Sequence, residues 1–371
     1  MDVFFIVIFV LLCCSWIIWQ ALLVVYLNVN NIENRDLYTK PQFTLNKYET
    51  YAKDYESYVN DNIPLRYRLI TINSILDYHL FNRSANSKVI KGKDEWLFYI
   101  DTLNDYQKYN LYSEEELATI SEEVIRTKEY FDKKNINFII FIGPNKNTIY
   151  SEKMPEYIDA TSSESRAYQV VEYLKEHTDV KVVFPVDVLL EAKDSNPELQ
   201  YYFKTDTHWN YMGGYFSTIP MLNELNADVI DFDELRYEEV NKPVFEKDGY
   251  DLTNMLGLST VHKTDVNYEV HSELLDSIIY TGDDGSTTSY FNNIVRTSSV
   301  ASDTRKVFFA RDSYGKAITP YIASAFSEVV SVYYGNVSLE MIDEEKPDVF
   351  IFEMVERKDF IGAFDYLNWE K

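Results

Sequence analysis

The sequence predicts an α/β fold of three layers, α/β/α, with a mainly parallel sheet, a hairpin insertion and an N-terminal transmembrane helix. Three observations lead there. Runs rich in Val, Ile and Phe recur from about residue 137 and alternate with helix-like stretches, as expected for strands covered on both faces. Acidic, strand-like sequence with turn signals interrupts that rhythm at about 226–300. No charged residue occurs from Val3 to Ile32, and the apolar run Val3–Leu27 is long enough to cross a bilayer as one helix.

No basic segment precedes the apolar run and no small-residue cleavage site follows it, so it reads as a retained anchor over residues 1–27. The nearby cations, Arg35 and Lys40, lie on its C-terminal side. That bias favours a cytoplasmic location for the rest of the chain, but long domains override it. Cys13 and Cys14 both fall in the anchor, so residues 28–371 can form no disulfide and use no cysteine nucleophile.

Residues 28–112 read as a spacer and membrane-proximal helical segment, with two helices in 49–81 broken at Pro64. "VIKGKDEWLFYI", 89–100, reads as a turn into a short strand. The α/β domain is assigned to 113–371. It opens with Ser113 and Glu116, spaced as a capping box before an amphipathic helix. "INFIIFIGPN" is a continuous apolar strand, "SRAYQVVEYLKEH" a helix and "VKVVFPV" a strand. "NYMGGYFSTIPMLNEL" is a helix whose start is weakened by Gly213 and Gly214. "RKVFFARDSYG" is a buried strand meeting a turn, followed by helix, strand, helix and a last strand, "DVFIFEMV".

A net charge of −25 argues against nucleic-acid binding, which needs clustered Lys and Arg. "GDDGSTTS" lacks the ligand spacing of an EF-hand and reads as a hairpin turn. No Walker or dinucleotide fingerprint and no repeat is present. His79, His177, His262 and His271 form no metal-ligand spacing, and no metal or cofactor is expected.

Sites in open α/β sheets form at the carboxyl ends of strands. Four stretches qualify: "GPNKN", "DTHW", "ARDSYG" and "EMVERKD". Ser313 follows a buried strand and precedes a helix, where N–H groups can hold an oxyanion. Taken alone, Ser313 or Asp312 reads first as an N-cap, which is what these residues do at helix starts. Asp206-x-His208 can supply a base and the acid that orients it, or a capping Asp and a half-buried His.

Taken together, "FKTDTHWNYMGG" and "FFARDSYGKAITPYIASAFSEVVSVYY" resemble the DHHW proteins and the related alginate O-acetyltransferases, whose domains are SGNH-hydrolase-like. "YVNDNIPLRYRLI", "VIKGKDEWLFY", "IGPNKNTIYSEKMPEY" and "FEMVERKDF" extend the likeness in the same order over roughly 50–360. The resemblance implies Ser313 as nucleophile, His208 as general base and Asp206 as its partner, with the Asp/His motif ahead of the serine. Thr207 stands where DHHW has His, and Arg311 stands where many SGNH enzymes have glycine, crowding the oxyanion site. Candidate oxyanion or substrate contacts are the backbone N–H of Ser313 or Tyr314, the Asn145 side chain, and Arg357, for which an ion pair with Glu356 is the competing role.

The expected function is a membrane-anchored, extracytoplasmic O-acetyltransferase acting on a cell-surface polysaccharide through an acyl-enzyme. The resemblance implies a multi-spanning membrane-bound O-acyltransferase as the acetyl supplier. The alternatives are a carbohydrate acetylesterase and a non-catalytic cell-envelope scaffold or glycan-binding protein.

Overall fold

The computed structural model describes residues 7–8, 37–44, 48–62, 66–160, 165–242, 250–259, 261–262, 264–282 and 293–364. The expected anchor falls almost entirely outside these residues, as do the turns at 247–249 and 283–288. Among the described residues no helix is long and apolar enough to cross a membrane. Two compact units divide the chain: residues 1–89 with 253–262, and residues 90–252 with 263–371.

The first unit contains helices Tyr48–Asp61 and Arg66–Ile75, the second continuing as a π-helical turn, Leu76–Leu80. They stop and start on either side of Pro64, as the sequence predicts. Thr71 and Asn86 donate to the carbonyls of Gly257 and Met255, tying residues 253–262 to this unit.

The second unit, from Ile90, opens with all but the first residue of β1 (Val89–Lys91), which pairs with β2 (Leu97–Tyr99) in a two-stranded sheet. Its main sheet has seven strands. In chain order they are β3 (Asn137–Gly143), β4 (Lys181–Val183), β7 (Ile279–Thr281), β8 (Ile294–Ser298), β9 (Asp303–Arg311), β10 (Phe326–Tyr333) and β11 (Val349–Val355). In space the order is β4-β3-β11-β9-β10-β8-β7. The first five run parallel, while β8 and β7 join antiparallel, so the sheet is mixed. The insertion therefore only partly leaves the sheet: β5 (Arg236–Val240) and β6 (Asn267–His271) pair separately, whereas β7 and β8 extend its edge.

Alternation along the central strands explains the three layers. Ile139, Phe141, Phe309 and Ile351 pack on one face with helices Val186–Ser195, Tyr211–Glu224 and Gly315–Ala325. Phe138, Ile140, Phe308 and Phe350 pack on the other with helices Glu114–Asp132, Arg166–His177 and Leu339–Glu345. Both faces must be apolar, which is why these strands read as continuous apolar runs. Ser113 and Glu116 form the capping box in full.

The strand expected over 180–186 ends at Val183, and helix Val186–Ser195 follows. Pro185 explains the break, because it has no N–H for a ladder and its fixed φ suits a helix start. "DTHW" consequently does not end a strand. It sits on an arch, residues 201–210, closed by the Phe203 N–H to His208 oxygen bond and the Asn210 N–H to Tyr201 oxygen bond.

Gly213 and Gly214 let helix Tyr211–Glu224 approach its neighbours. A Cβ on Gly213 would lie 2.2 Å from the Tyr201 carbonyl oxygen, and one on Gly214 would lie 2.6 Å from that of Ala317. The helix-weakening pair is thus a packing requirement between the arch and helix Gly315–Ala325. Gly214→Ala should destabilise the protein by about 1–3 kcal/mol. An unchanged urea unfolding midpoint would contradict this close approach.

Candidate active site

The carboxyl ends of the adjacent strands β3, β11 and β9 present Asn145 and Lys146, Glu356 and Arg357, and Asp312, Ser313 and Tyr314. The arch delivers Asp206 and His208 to the same place. Ser313 Oγ lies 2.8 Å from His208 Nε2, and Asp206 Oδ1 lies 2.6 Å from His208 Nδ1. A carboxylate at that distance accepts a hydrogen bond from Nδ1–H and so keeps the proton on that nitrogen, leaving Nε2 to accept from the serine hydroxyl. His208 N–H also donates to Asp206 Oδ1, so this short motif orients itself.

Ser313 is half-buried between the buried residues Asp312 and Tyr314. Asp312 rather than Ser313 makes the cap-like bond, accepting from Tyr314 N–H at 2.7 Å. Its other oxygen accepts from Val355 N–H at 3.0 Å. The turn is locked to the arch on both sides of the serine–histidine pair. Tyr314 OH donates to the Thr207 carbonyl at 2.6 Å, and Trp209 Nε1 donates to the Tyr314 carbonyl at 2.9 Å.

Electrostatics favour an ionised Asp206. Burial pushes its carboxyl up, but the His208 ring, the Asp251 N–H and the His208 N–H outweigh that effect and hold it below the usual range. Asp251, which sequence reasoning missed, accepts from both the N–H and the hydroxyl of Thr207. Its Oδ2 lies 3.9 Å from His208 Nδ1. Burial and the neighbouring Asp206 charge push Asp251 up to about 6. Asp206, His208 and Asp251 are close enough to share a cation, but Asp206 and Asp251 already accept the hydrogen bonds just described.

Lys146, also missed, is buried. It donates to the carbonyls of Phe203, Lys204 and Asp206 at 2.9, 3.1 and 2.6 Å. Burial pulls its ammonium down to about 8, against the attraction of Asp265, Asp251 and Asp206. Glu353 lies beneath the turn, where its Oε2 accepts from Asp312 N–H and its carboxyl is pushed well up by burial and by Asp312.

Asn145 is fully buried, and its Nδ2 has no partner among the described residues. Arg357 Nη1 reaches Asn145 Oδ1 at 3.5 Å and Tyr314 OH at 3.2 Å. Glu356 instead accepts from Asn145 N–H, Thr148 and Ser165, so among the described residues no ion pair joins it to Arg357. Tyr314 N–H is taken by Asp312, whereas Asn145 Nδ2 is buried with no partner among the described residues and can donate to a substrate oxygen. Arg311 is fully buried; its Nε donates to Ser331 Oγ on β10 at 2.7 Å and its Nη1 to the Asp312 carbonyl at 3.2 Å.

Residues 89–277, just over half of the chain, match the family model described as the SGNH hydrolase-like domain, acetyltransferase AlgX. The chain belongs to this family. The matched span carries Asp206, His208 and Asp251 and stops before Ser313. A "Probable alginate O-acetylase AlgJ" of Pseudomonas syringae pv. tomato is 23% identical over 163 residues, 44% of this chain and 39% of that protein. The AlgJ of Pseudomonas putida is 22% identical over 162 residues, 44% of this chain and 40% of that protein. The match thus spans about two fifths of the length of these curated relatives. Among solved structures, Bacillus cereus PatB1 with a sulfonyl adduct shares the fold at a TM-score of 0.53 and 16% identity, over 75% of this chain and 99% of that one. A DHHW family protein from Eubacterium siraeum does so at 0.51 and 15%, over 75% and 94%.

The raised Asp251 carboxyl has a pH consequence. An unfolded Asp titrates near 4, so the folded state holds this proton more tightly. The associated stabilisation is complete below about pH 4 and is lost as pH rises through about 6. Wild type should therefore lose urea stability relative to Asp251→Asn between these values. A difference that stays flat across that range would contradict the assignment.

Proposed function

We propose that the protein is an O-acetyltransferase that modifies a polysaccharide outside the cytoplasm, using Ser313 as nucleophile, His208 as general base and Asp206 as the residue that orients His208. The single observation that carries the reading is the 2.8 Å contact between Ser313 Oγ and His208 Nε2, backed by Asp206 at 2.6 Å. Family membership and the AlgJ relatives support acetyl transfer to a polysaccharide.

In this reading the Ser313 hydroxyl proton passes to Nε2 as Oγ attacks the acetyl carbonyl carbon. The developing oxyanion is held by Ser313 N–H and Asn145 Nδ2. The bond to the leaving group then breaks, and that group takes the proton from Nε2, leaving acetyl-Ser313. A sugar hydroxyl next gives its proton to Nε2 and attacks the acyl carbon. When the tetrahedral adduct collapses, Ser313 Oγ recovers the proton and the sugar keeps the acetyl group. Asp206 stabilises the imidazolium in each half.

Acetyl donors are cytoplasmic, so an enzyme working outside requires an acetyl group passed through the membrane. A membrane-bound O-acyltransferase would supply it. The charge-free run 3–32 supports a membrane anchor for this chain. The non-catalytic alternative rested on crowding by Arg311; the bond from its buried Nε to Ser331 supports the enzymatic reading over that alternative.

The test uses a fluorophosphonate and p-nitrophenyl acetate on the purified full chain. Wild type should label at Ser313, and Ser313→Ala should not. Asp206→Asn should slow labelling by roughly 1,000-fold or more, because the wrong imidazole tautomer faces the serine. Equal labelling of wild type and Ser313→Ala would refute the enzymatic reading. Acetyl transfer to an acceptor oligosaccharide should exceed hydrolysis, and hydrolysis alone would make the protein an acetylesterase.

A further inference from the structure

We infer that Lys146 is a positioning residue for the acid–base pair, its ammonium fixing the arch on which Asp206 and His208 stand by bonding the carbonyl oxygens of Phe203, Lys204 and Asp206. The inference rests on the proposed role of His208.

Three observations carry it. The first is saturation. An ammonium has three N–H donors, and here each has a carbonyl at 2.9, 3.1 or 2.6 Å. The second is burial. Lys146 is only 4% exposed, and its Nζ lies 5.2 Å from the centre of the Phe98 ring and 5.7 Å from that of Trp96. Without the ammonium, water could not readily replace three bonds to carbonyls aimed at one point. A buried acceptor left without a donor is costly, so the arch would open instead.

The third observation is the division of labour along the arch. Its N–H groups go elsewhere: Thr205 to Asp265, Thr207 to Asp251, and His208 to Asp206. Lys146 supplies the complementary half by holding carbonyls. One of these belongs to Asp206 itself, so the ammonium fixes the backbone of the residue that must face Nδ1. Its positive charge also favours the ionised carboxylate that keeps the proton on Nδ1. Lys146 lies three residues beyond the end of β3, so it ties the arch to a central strand of the sheet.

A lysine that served stability alone would leave the imidazole bond unchanged in the folded molecules of a variant. The test therefore reads the histidine directly. In the full chain, the proton bridging His208 Nδ1 and Asp206 should give a downfield proton resonance, assigned by its loss in His208→Gln. Lys146→Met should lose or broaden that resonance. It should also slow fluorophosphonate labelling of Ser313 by about 100-fold, with KM for p-nitrophenyl acetate changed by less than about twofold. Lys146→Gln retains two N–H donors without the charge and should fall between the two. It serves as the test if the Met variant shows no cooperative thermal transition. A folded variant that keeps the resonance and labels at the wild-type rate would overturn the inference, as would losses that only track the folded fraction. If wild type itself does not label, the nucleophile assignment fails, and the resonance alone decides the role of Lys146.

Discussion

The site depends on a brace between two segments 105 residues apart. Thr207, His208 and Trp209 on the arch meet Ser313 and Tyr314 on the turn through three hydrogen bonds of 2.6–2.9 Å. Only the middle one joins two side chains that can exchange a proton, the step the proposed acyl transfer requires. The outer two use groups that do not titrate in the working range and lie buried on either side. A single bond between two side chains would leave each free to rotate. Flanking bonds to carbonyl oxygens fix both backbones, so the reactive pair inherits its geometry from the fold.

Burying charge in a protein of net charge −25 needs local compensation. Asp206 and Lys146 are both buried, and the arch backbone mediates between them, with N–H groups turned to carboxylates and carbonyls to the ammonium. Glu353 follows a different solution: burial beside Asp312 raises its pKa, so it resists ionising beneath the turn. The two buried carboxyls are thus pushed in opposite directions, Asp206 down by the His208 ring and its hydrogen bonds and Glu353 up by burial and Asp312.

Much of this was legible in the sequence. Strands buried on both faces announce themselves as unbroken apolar runs, which gave β3, β9, β10 and β11 and hence three of the four segments that meet at the site. Asp206, His208 and Ser313 stood out because their residue types carry a chemistry. Lys146 and Asp251 did not, because a surface lysine and a surface aspartate look the same in a sequence. Their roles come from burial and from partners 44 to 60 residues away. The edge strands β7 and β8 read as a separate excursion because short antiparallel strands lack the long apolar signature of the centre. The role of Gly213 and Gly214 was hidden for a similar reason, since helix propensity registers what a glycine costs but not what approaches it.

The order of the sheet carries one more consequence. β11 is its last strand in chain order, yet it lies in the middle, between β3 and β9. During synthesis the strand that carries the arch's anchor and the strand that carries the serine turn are made before the strand that separates them. Until β11 inserts, those two strands have no wall in common, and the Val355 N–H that fixes Asp312 is absent. The contact that fixes Asp312 beside Ser313 therefore forms only with the strand made last, so the final stretch of the chain completes a turn laid down more than forty residues earlier.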